Sequence, residues 1–250
     1  MDDHFQELTA AEDLLAMNLG RFGTILADPP WRFTNRTGKM APEHRRLLRY
    51  STLSLQEVME LPIPQLALPQ SHLYLWVPNA LIREGLEVME RWGFTYKTNL
   101  VWYKVRKDGG PDGRGVGFYF RNVTELVLFG IRGSIRTLAP GRRRVNIIVS
   151  QKREHSRKPD EIYDIIEKCS PAPYLELFAR HPRPGWVQWG NEIDEGLALK
   201  QGDLDIQVAS QQEVCGQTGL VTVGAGKNRS ALPMQPQLLE TREHCEDEID

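Results

Sequence analysis

Phe22-Gly23-Thr24-Ile25-Leu26-Ala27-Asp28-Pro29-Pro30-Trp31 is the stretch on which the fold turns. Its first six residues are small or apolar almost throughout, which predicts a strand buried on both faces. The strand must stop at Asp28, because proline offers no N–H to a ladder and two in a row end the pairing. A carboxylate therefore stands at the carboxyl end of a buried strand. In open α/β sheets, ligands bind at that edge.

Working outward, further strands alternate with helical patterns. The first twenty residues read as a short helix, with Leu8, Leu14, Leu15 and Leu19 as its apolar positions. A polar, basic loop runs from Trp31 to about Tyr50 and carries Arg32, Arg36, Lys39, Arg45, Arg46 and Arg49. Ser54 to Leu61 reads as a short helix, and His72 to Val77 as an apolar strand. Leu81, Ile82, Leu86, Met89 and Trp92 recur at helical spacing, with Gly93 as the stop. Thr98 to Val105, Thr124 to Ile131 and Asn146 to Ser150 read as strands. Gly109 to Gly117, with five glycines, reads as a mobile loop. Pro159 is placed to open a helix at its first position, with Asp160 and Glu161 at the positive end of its dipole and Ile162, Ile165, Ile166 and Cys169 as its apolar face. Tyr174 to Ala179 and Trp186 to Trp189 are the last predicted strands. The pattern predicts an α/β fold with a mostly parallel sheet and helices on both faces.

The ends of the chain differ in character. From Glu195 to Asp250 there are 10 acidic and 4 basic residues, with many Gln and Gly and little periodicity. We expect residues 1–194 to form one domain and 195–250 to form an acidic, disordered tail. No apolar run reaches the roughly 20 residues of a membrane helix. The acidic start Met1-Asp2-Asp3-His4 lacks the order of a signal peptide, so a cytoplasmic location is expected. Cys169, Cys215 and Cys245 are widely spaced and form no CxxC pair, which predicts free thiols and no metal site. The basic residues Arg132, Arg136, Arg142, Arg143, Arg144, Lys152, Arg153, Arg157 and Lys158 crowd one stretch. Such a stripe attracts phosphate backbones, although a solvated charged surface has the same composition.

The Asp28 corner has chemical consequences. Proline pushes the preceding residue towards extended geometry, so Pro29 restrains Asp28 and Pro30 restrains Pro29. The Asp28 carboxylate and the Pro29 carbonyl then form two fixed acceptors. Two acceptors suffice to hold both N–H bonds of an aromatic amine and draw its lone pair out of the ring, a pre-organised geometry that lowers a barrier. Trp31 is read as a flat face on which a base stacks. A turn with a capping Asp, two turn prolines and a core Trp is the plainer reading of the same four residues.

Several motifs occur in one order: Gly20-Arg21-Phe22 before Ala27-Asp28-Pro29-Pro30-Trp31, then Leu73-Tyr74-Leu75-Trp76-Val77, Val101-Trp102-Tyr103-Lys104, Ser156-Arg157-Lys158-Pro159-Asp160-Glu161-Ile162-Tyr163, Glu176-Leu177-Phe178-Ala179-Arg180, and Trp186 with Gly190-Asn191-Glu192. In these the chain, over about residues 20–194, resembles the DPPW-motif family of adenine-N6 methyltransferases. That family includes the catalytic subunit of the eukaryotic messenger-RNA adenosine methyltransferase and many bacterial and phage proteins.

The resemblance implies a seven-stranded Rossmann-like methyltransferase domain that uses S-adenosylmethionine. It implies that Asp28, Pro29, Pro30 and Trp31 form the catalytic corner. Lys158 would hold the cofactor's carboxylate and Asp28 would meet its amino group. Arg180, His181, Asn191 and Glu192 would surround its ribose and adenine, with Glu176 nearby. Trp31, Tyr50, Arg45, Arg46 and Arg143 are the expected substrate contacts.

There are departures from the family. No GxGxxG follows a strand, and the acidic residue expected near the cofactor's adenine has no clear counterpart beyond Asp13. The zinc fingers and long N-terminal extension of the eukaryotic enzyme are not seen, which points to a small prokaryotic or phage enzyme acting on DNA in preference to RNA. A homodimer or methyltransferase heterodimer is compatible with the family. Two rival functions remain at this stage. One is a catalytically inactive nucleic-acid-binding partner of a methyltransferase. The other is an amino methyltransferase acting on cytosine, a protein or a small amine.

Overall fold

A computed structural model describes residues 9–32, 53–113, 119–151 and 157–190. Calls on Leu8, Tyr50, Arg45, Arg46, Asn191, Glu192 and the tail 195–250 lie outside those residues.

Helix α1 (Ala10–Ala16) and helix α2 (Leu55–Glu60) each start at a capping box. Thr9 and Ser54 accept from the backbone N–H of Glu12 and Glu57, whose carboxylates reach back to the N-cap N–H. Helix α1 ends at Ala16, and of its assigned apolar residues that are described, Leu14 and Leu19 are buried while Leu15 is exposed. Helix α3 (Ile63–Leu66), not anticipated, leads into β2 (Ala67–Val77). Helix α4 (Ile82–Arg91) buries Val88 and Met89, and Trp92 just after it donates its indole N–H to the Val58 carbonyl at 3.0 Å. Ile82 and Leu86, read as core positions, are exposed. Gly93 adopts a φ of 79°, the left-handed conformation that ends the helix. Helix α5 (Glu161–Cys169) starts two residues later than expected. Pro159 lies outside it and Asp160 occupies the N-cap position, in helical geometry and without a side-chain cap bond.

The strands form one seven-stranded sheet in the order β5-β3-β4-β2-β1-β6-β7. They are β1 (Phe22–Ala27), β2, β3 (Thr95–Val105), β4 (Thr124–Arg132), β5 (Ile147–Gln151), β6 (Tyr174–Leu177) and β7 (Trp186–Trp189). Only β4 runs against the others, pairing antiparallel with both β2 and β3. Strand β1 is buried at every residue between β2 and β6, as its apolar run requires. Side chains alternate between two cores. Ile25, Ala27, Leu73, Leu75 and Val77 face α1 to α4. Leu26, Tyr74, Trp76, Trp102 and Ile148 face α5. Helices thus cover both faces, as the alternation of elements implied.

The close approach of β1 to the segment before β6 depends on Gly23. A Cβ there would stand 2.5 Å from the Ala172 carbonyl oxygen and 2.8 Å from that of Pro171. Its N–H donates to the Pro173 carbonyl, and the Thr24 hydroxyl donates to the Pro171 carbonyl. Both clashing atoms are backbone, so no rotamer change relieves the contact. Gly23→Ala is expected to destabilise the fold by about 1–3 kcal/mol, read as a lower midpoint in urea with an unchanged slope.

Of the Gly109 to Gly117 segment, residues 109–113 are described and 114–117 lie outside the described residues. Residues 106–113 form a turn in which Arg106 N–H donates to the Gly110 carbonyl and Pro111 bridges Val105. Cys169 is a buried free thiol. Among the described residues, no helix is long and apolar enough to cross a membrane, and no group of three or more His, Cys, Asp or Glu is placed to hold a metal.

Candidate active site

The carboxyl ends of the parallel strands converge on one edge of the sheet. Asp28 follows β1 there, and its backbone N–H reaches the Leu177 carbonyl of β6 at 3.5 Å. Because β4 is antiparallel, its first residues, Thr124 and Glu125, stand at the same edge. Asn79, just after β2, donates to the Thr124 carbonyl at 3.1 Å and ties that corner down. Lys104 is the penultimate residue of β3, and Lys158 lies between β5 and α5.

These side chains meet. Lys158 Nζ donates to Asp28 Oδ2 at 2.7 Å across 130 positions of sequence. The same ammonium lies 3.6 Å from Glu125 Oε2 and 5.1 Å from the centroid of the Trp76 ring. Lys104 pairs with the other oxygen of Glu125. Burial works against the Lys158 ammonium, but the charges of Asp28 and Glu125 outweigh it and hold its pKa above the ordinary lysine value. Burial likewise opposes the Glu125 carboxylate, and Lys158 and Lys104 overcome it, leaving its pKa lowered. Both shifts favour the charged forms of Lys158 and Glu125.

The proline corner departs from expectation at Trp31. Its indole is only 7% exposed, packed in the core, and donates to the Trp76 carbonyl at 2.9 Å. It anchors the corner to the end of β2 and does not present the open stacking face that was expected. The Pro29 carbonyl accepts from the Trp31 N–H at 2.8 Å, which fixes its direction. Leu53 forms a parallel bridge with Trp31 beside the corner.

Beyond β6 the chain turns sharply. Phe178 adopts a φ of 63°, a strained value for a non-glycine residue, and this ends β6 two residues before the predicted Ala179. Glu176 is less free than expected of a cofactor contact. Its two oxygens accept from Tyr163 Oη and Gln188 Nε2, each at 2.7 Å. Burial pushes its pKa up despite those bonds. Gln188 also donates to the His181 carbonyl and accepts from the Arg183 N–H, so it pins the turn that carries Arg180 and His181 to β7. His181 itself is exposed. Asp13, the tentative adenine contact, accepts from the Trp189 indole at 2.7 Å.

The basic stretch 132–158 is not one stripe. Arg132 ends antiparallel β4 at the far edge of the sheet and donates to the Pro64 and Ala67 carbonyls. Arg142 and Arg144 donate to the carbonyls of Thr137 and Asp164. Arg143 is exposed between them, ahead of β5, and so on the edge opposite Asp28. Arg157 and Lys158 stand at the site edge.

Glu125, Lys104 as a partner of Glu125, and Gln188 were missed from sequence. Glu125 and Gln188 are polar residues near the end of a mainly apolar strand, and Lys104 is a charged residue near the end of β3. That is the available signal, but strand-end charges are usually solvated.

A Rossmann-like sheet with a proline-restrained carboxylate and a partly buried lysine at its carboxyl edge defines a methyltransferase fold. The chain belongs to the MT-A70 family, whose pattern matches residues 22–192. It is 33% identical over 232 residues, 86% of its own length, to an MT-A70-like sequence of Medicago truncatula. It is 32% identical over 190 residues to the human N(6)-adenosine-methyltransferase catalytic subunit METTL3, covering 74% of this chain and 30% of that protein. It is 30% identical over 206 residues to the type II methyltransferase M.MunI of Mycoplasma sp, covering 74% of this chain and 84% of that protein. The chain spans about a third of the length of the Medicago and human relatives.

Proposed function

We propose that this chain transfers a methyl group from S-adenosylmethionine to the N6 amino group of adenine in nucleic acid, with DNA as the favoured substrate. The observation that carries the reading is the contact between Lys158 and Asp28 at 2.7 Å behind a double-proline corner. A cation and an anion held side by side match the carboxylate and ammonium of an amino acid, so the donor set fits the cofactor's methionine end. Lys158 would hold its carboxylate and Asp28 its amino group. Arg180 and His181, on the turn pinned by Gln188, stand at the same strand ends for its nucleoside. The preference for DNA rests on the compact matched region and on its match to most of M.MunI.

Bound S-adenosylmethionine supplies an activated methyl group. The protein's own task is to present the nucleophile. One N–H of the amine donates to the Asp28 carboxylate and the other to the second lone pair of the Pro29 carbonyl. Both acceptors are fixed before the substrate arrives, so little reorganisation is needed at the moment of transfer. The proton lost by the methylated amine passes to the Asp28 carboxylate and on to water. The target base leaves its stack to reach this edge, at a cost of a few kcal/mol from a duplex and less from a single strand.

The test is incubation with methyl-labelled cofactor and matched single- and double-stranded DNA and RNA, followed by nucleoside analysis. N6-methyladenine is expected, more from DNA than from RNA. Label on cytosine or on protein would replace adenine as the acceptor. No label in any substrate, with no binding of the cofactor by calorimetry, would favour an inactive partner.

A further inference from the structure

Four of the charges at the site edge stand in an alternating row: Lys104, Glu125, Lys158 and Asp28. Glu125 lies between two lysines and has one oxygen for each, and Lys158 lies between two carboxylates. Each ammonium also sits over an indole, Lys104 4.7 Å from the Trp102 centroid and Lys158 5.1 Å from that of Trp76. The two rings pack edge to face at 6.1 Å, so the lysine stems have fixed beds. The Lys104 and Lys158 side chains are only 12% and 20% exposed, where charges act more strongly than on an open surface.

Glu125 is the member that Asp28 and Lys158 do not explain. A half-buried carboxylate 3.6 Å from Lys158 is a competitor for any anion that Lys158 is to bind. Lys104 engages it more closely than Lys158 does, at hydrogen-bond range from the neighbouring strand. We propose that Lys104 is a positioning residue: by neutralising Glu125 it leaves Lys158 able to exchange Asp28 for the carboxylate of the cofactor's amino-acid end. The inference rests on the cofactor reading above and assigns the residue on which that subsite's affinity depends.

The prediction concerns one part of the ligand. Without Lys104, Glu125 captures Lys158 and repels an incoming carboxylate. Lys104→Met keeps the apolar stem on Trp102 and removes the charge. It should weaken S-adenosylmethionine binding about tenfold by calorimetry. Methylthioadenosine has the same nucleoside and sulfur but no amino-acid end, and its affinity should stay within about twofold. Lys104→Met with Glu125→Gln should restore cofactor binding to within about threefold of wild type, because the competitor is gone. A merely structural role would weaken both ligands alike and make the double variant worse. Either result overturns the inference, as does an unchanged affinity in Lys104→Met. Glu125→Gln alone tests it without loss of Lys104: binding is retained, and a tenfold loss would overturn it. Failure of the wild-type protein to bind S-adenosylmethionine would instead sink the cofactor reading, and this inference with it.

Discussion

Asp28→Asn is expected to lower kcat for adenine methylation by at least about a hundredfold at saturating cofactor, the scale for removing one pre-organised polar group from a transition state. The side chain keeps its shape but not its charge. Its amide N–H₂ would face either Lys158 or the substrate amine, and it is a donor where an acceptor is needed. The fold should survive. Asp28 lies beyond the last residue of β1, its side chain is 27% exposed, and no core packing depends on it. Lys158 keeps Glu125 as a counter-charge in the variant, so it is not left as a lone buried cation. The measurement is single-turnover methylation with saturating S-adenosylmethionine, beside a thermal unfolding curve. Turnover within tenfold of wild type, with an unaltered curve, would remove Asp28 from the mechanism.

The parts of this protein that sequence made visible are those set by local physics. Strand β1 is an unbroken apolar run closed by prolines, and β7 is four residues between polar turns; both fall where periodicity placed them. Asp28 was visible because the two prolines isolate it at a strand end. Pairings between distant segments were not legible in this way. Nothing in spacing joins Asp28 to Lys158 across 130 positions, and the link came only from resemblance to a family. The reversal of β4 had a faint signal, since no helical pattern lies between Val105 and Thr124 to carry a parallel crossover. That reversal is what delivers Glu125 to the site edge. At Trp31, residue type states what a side chain can do, while only packing states which way it faces, and Trp31 faces the core.

Acid is expected to destabilise the fold through one buried histidine well away from the catalytic corner. His72 on β2 is fully buried, lies edge-on to Phe129 and shares the Ser170 hydroxyl with Tyr74, both contacts at 2.8 Å. Its Nε2 has no partner. Burial pushes its pKa down from 6.5 to about 4. The unfolded chain thus binds a proton at this residue below pH 6.5 that the folded chain refuses until about pH 4. Stability from this group is fully present above pH 6.5 and is lost as the pH falls from 6.5 to 4. A shift of this size amounts to about 3 kcal/mol at the acid end of the window. Glu176 acts in the opposite sense, since its raised pKa favours the folded state in acid, and it moderates the fall near the carboxylate range. Urea unfolding at pH 7 and pH 4.5 measures the difference. His72→Phe, which fills the same space beside Phe129 without a titrating group, should flatten the dependence between those two values. The Ser170 hydroxyl keeps Tyr74 as its partner in that variant, so no polar group is stranded by the change. An equal loss of stability in the variant and the parent would remove His72 as the source of the acid sensitivity, since Glu125, its pKa lowered, keeps its charge over most of that window.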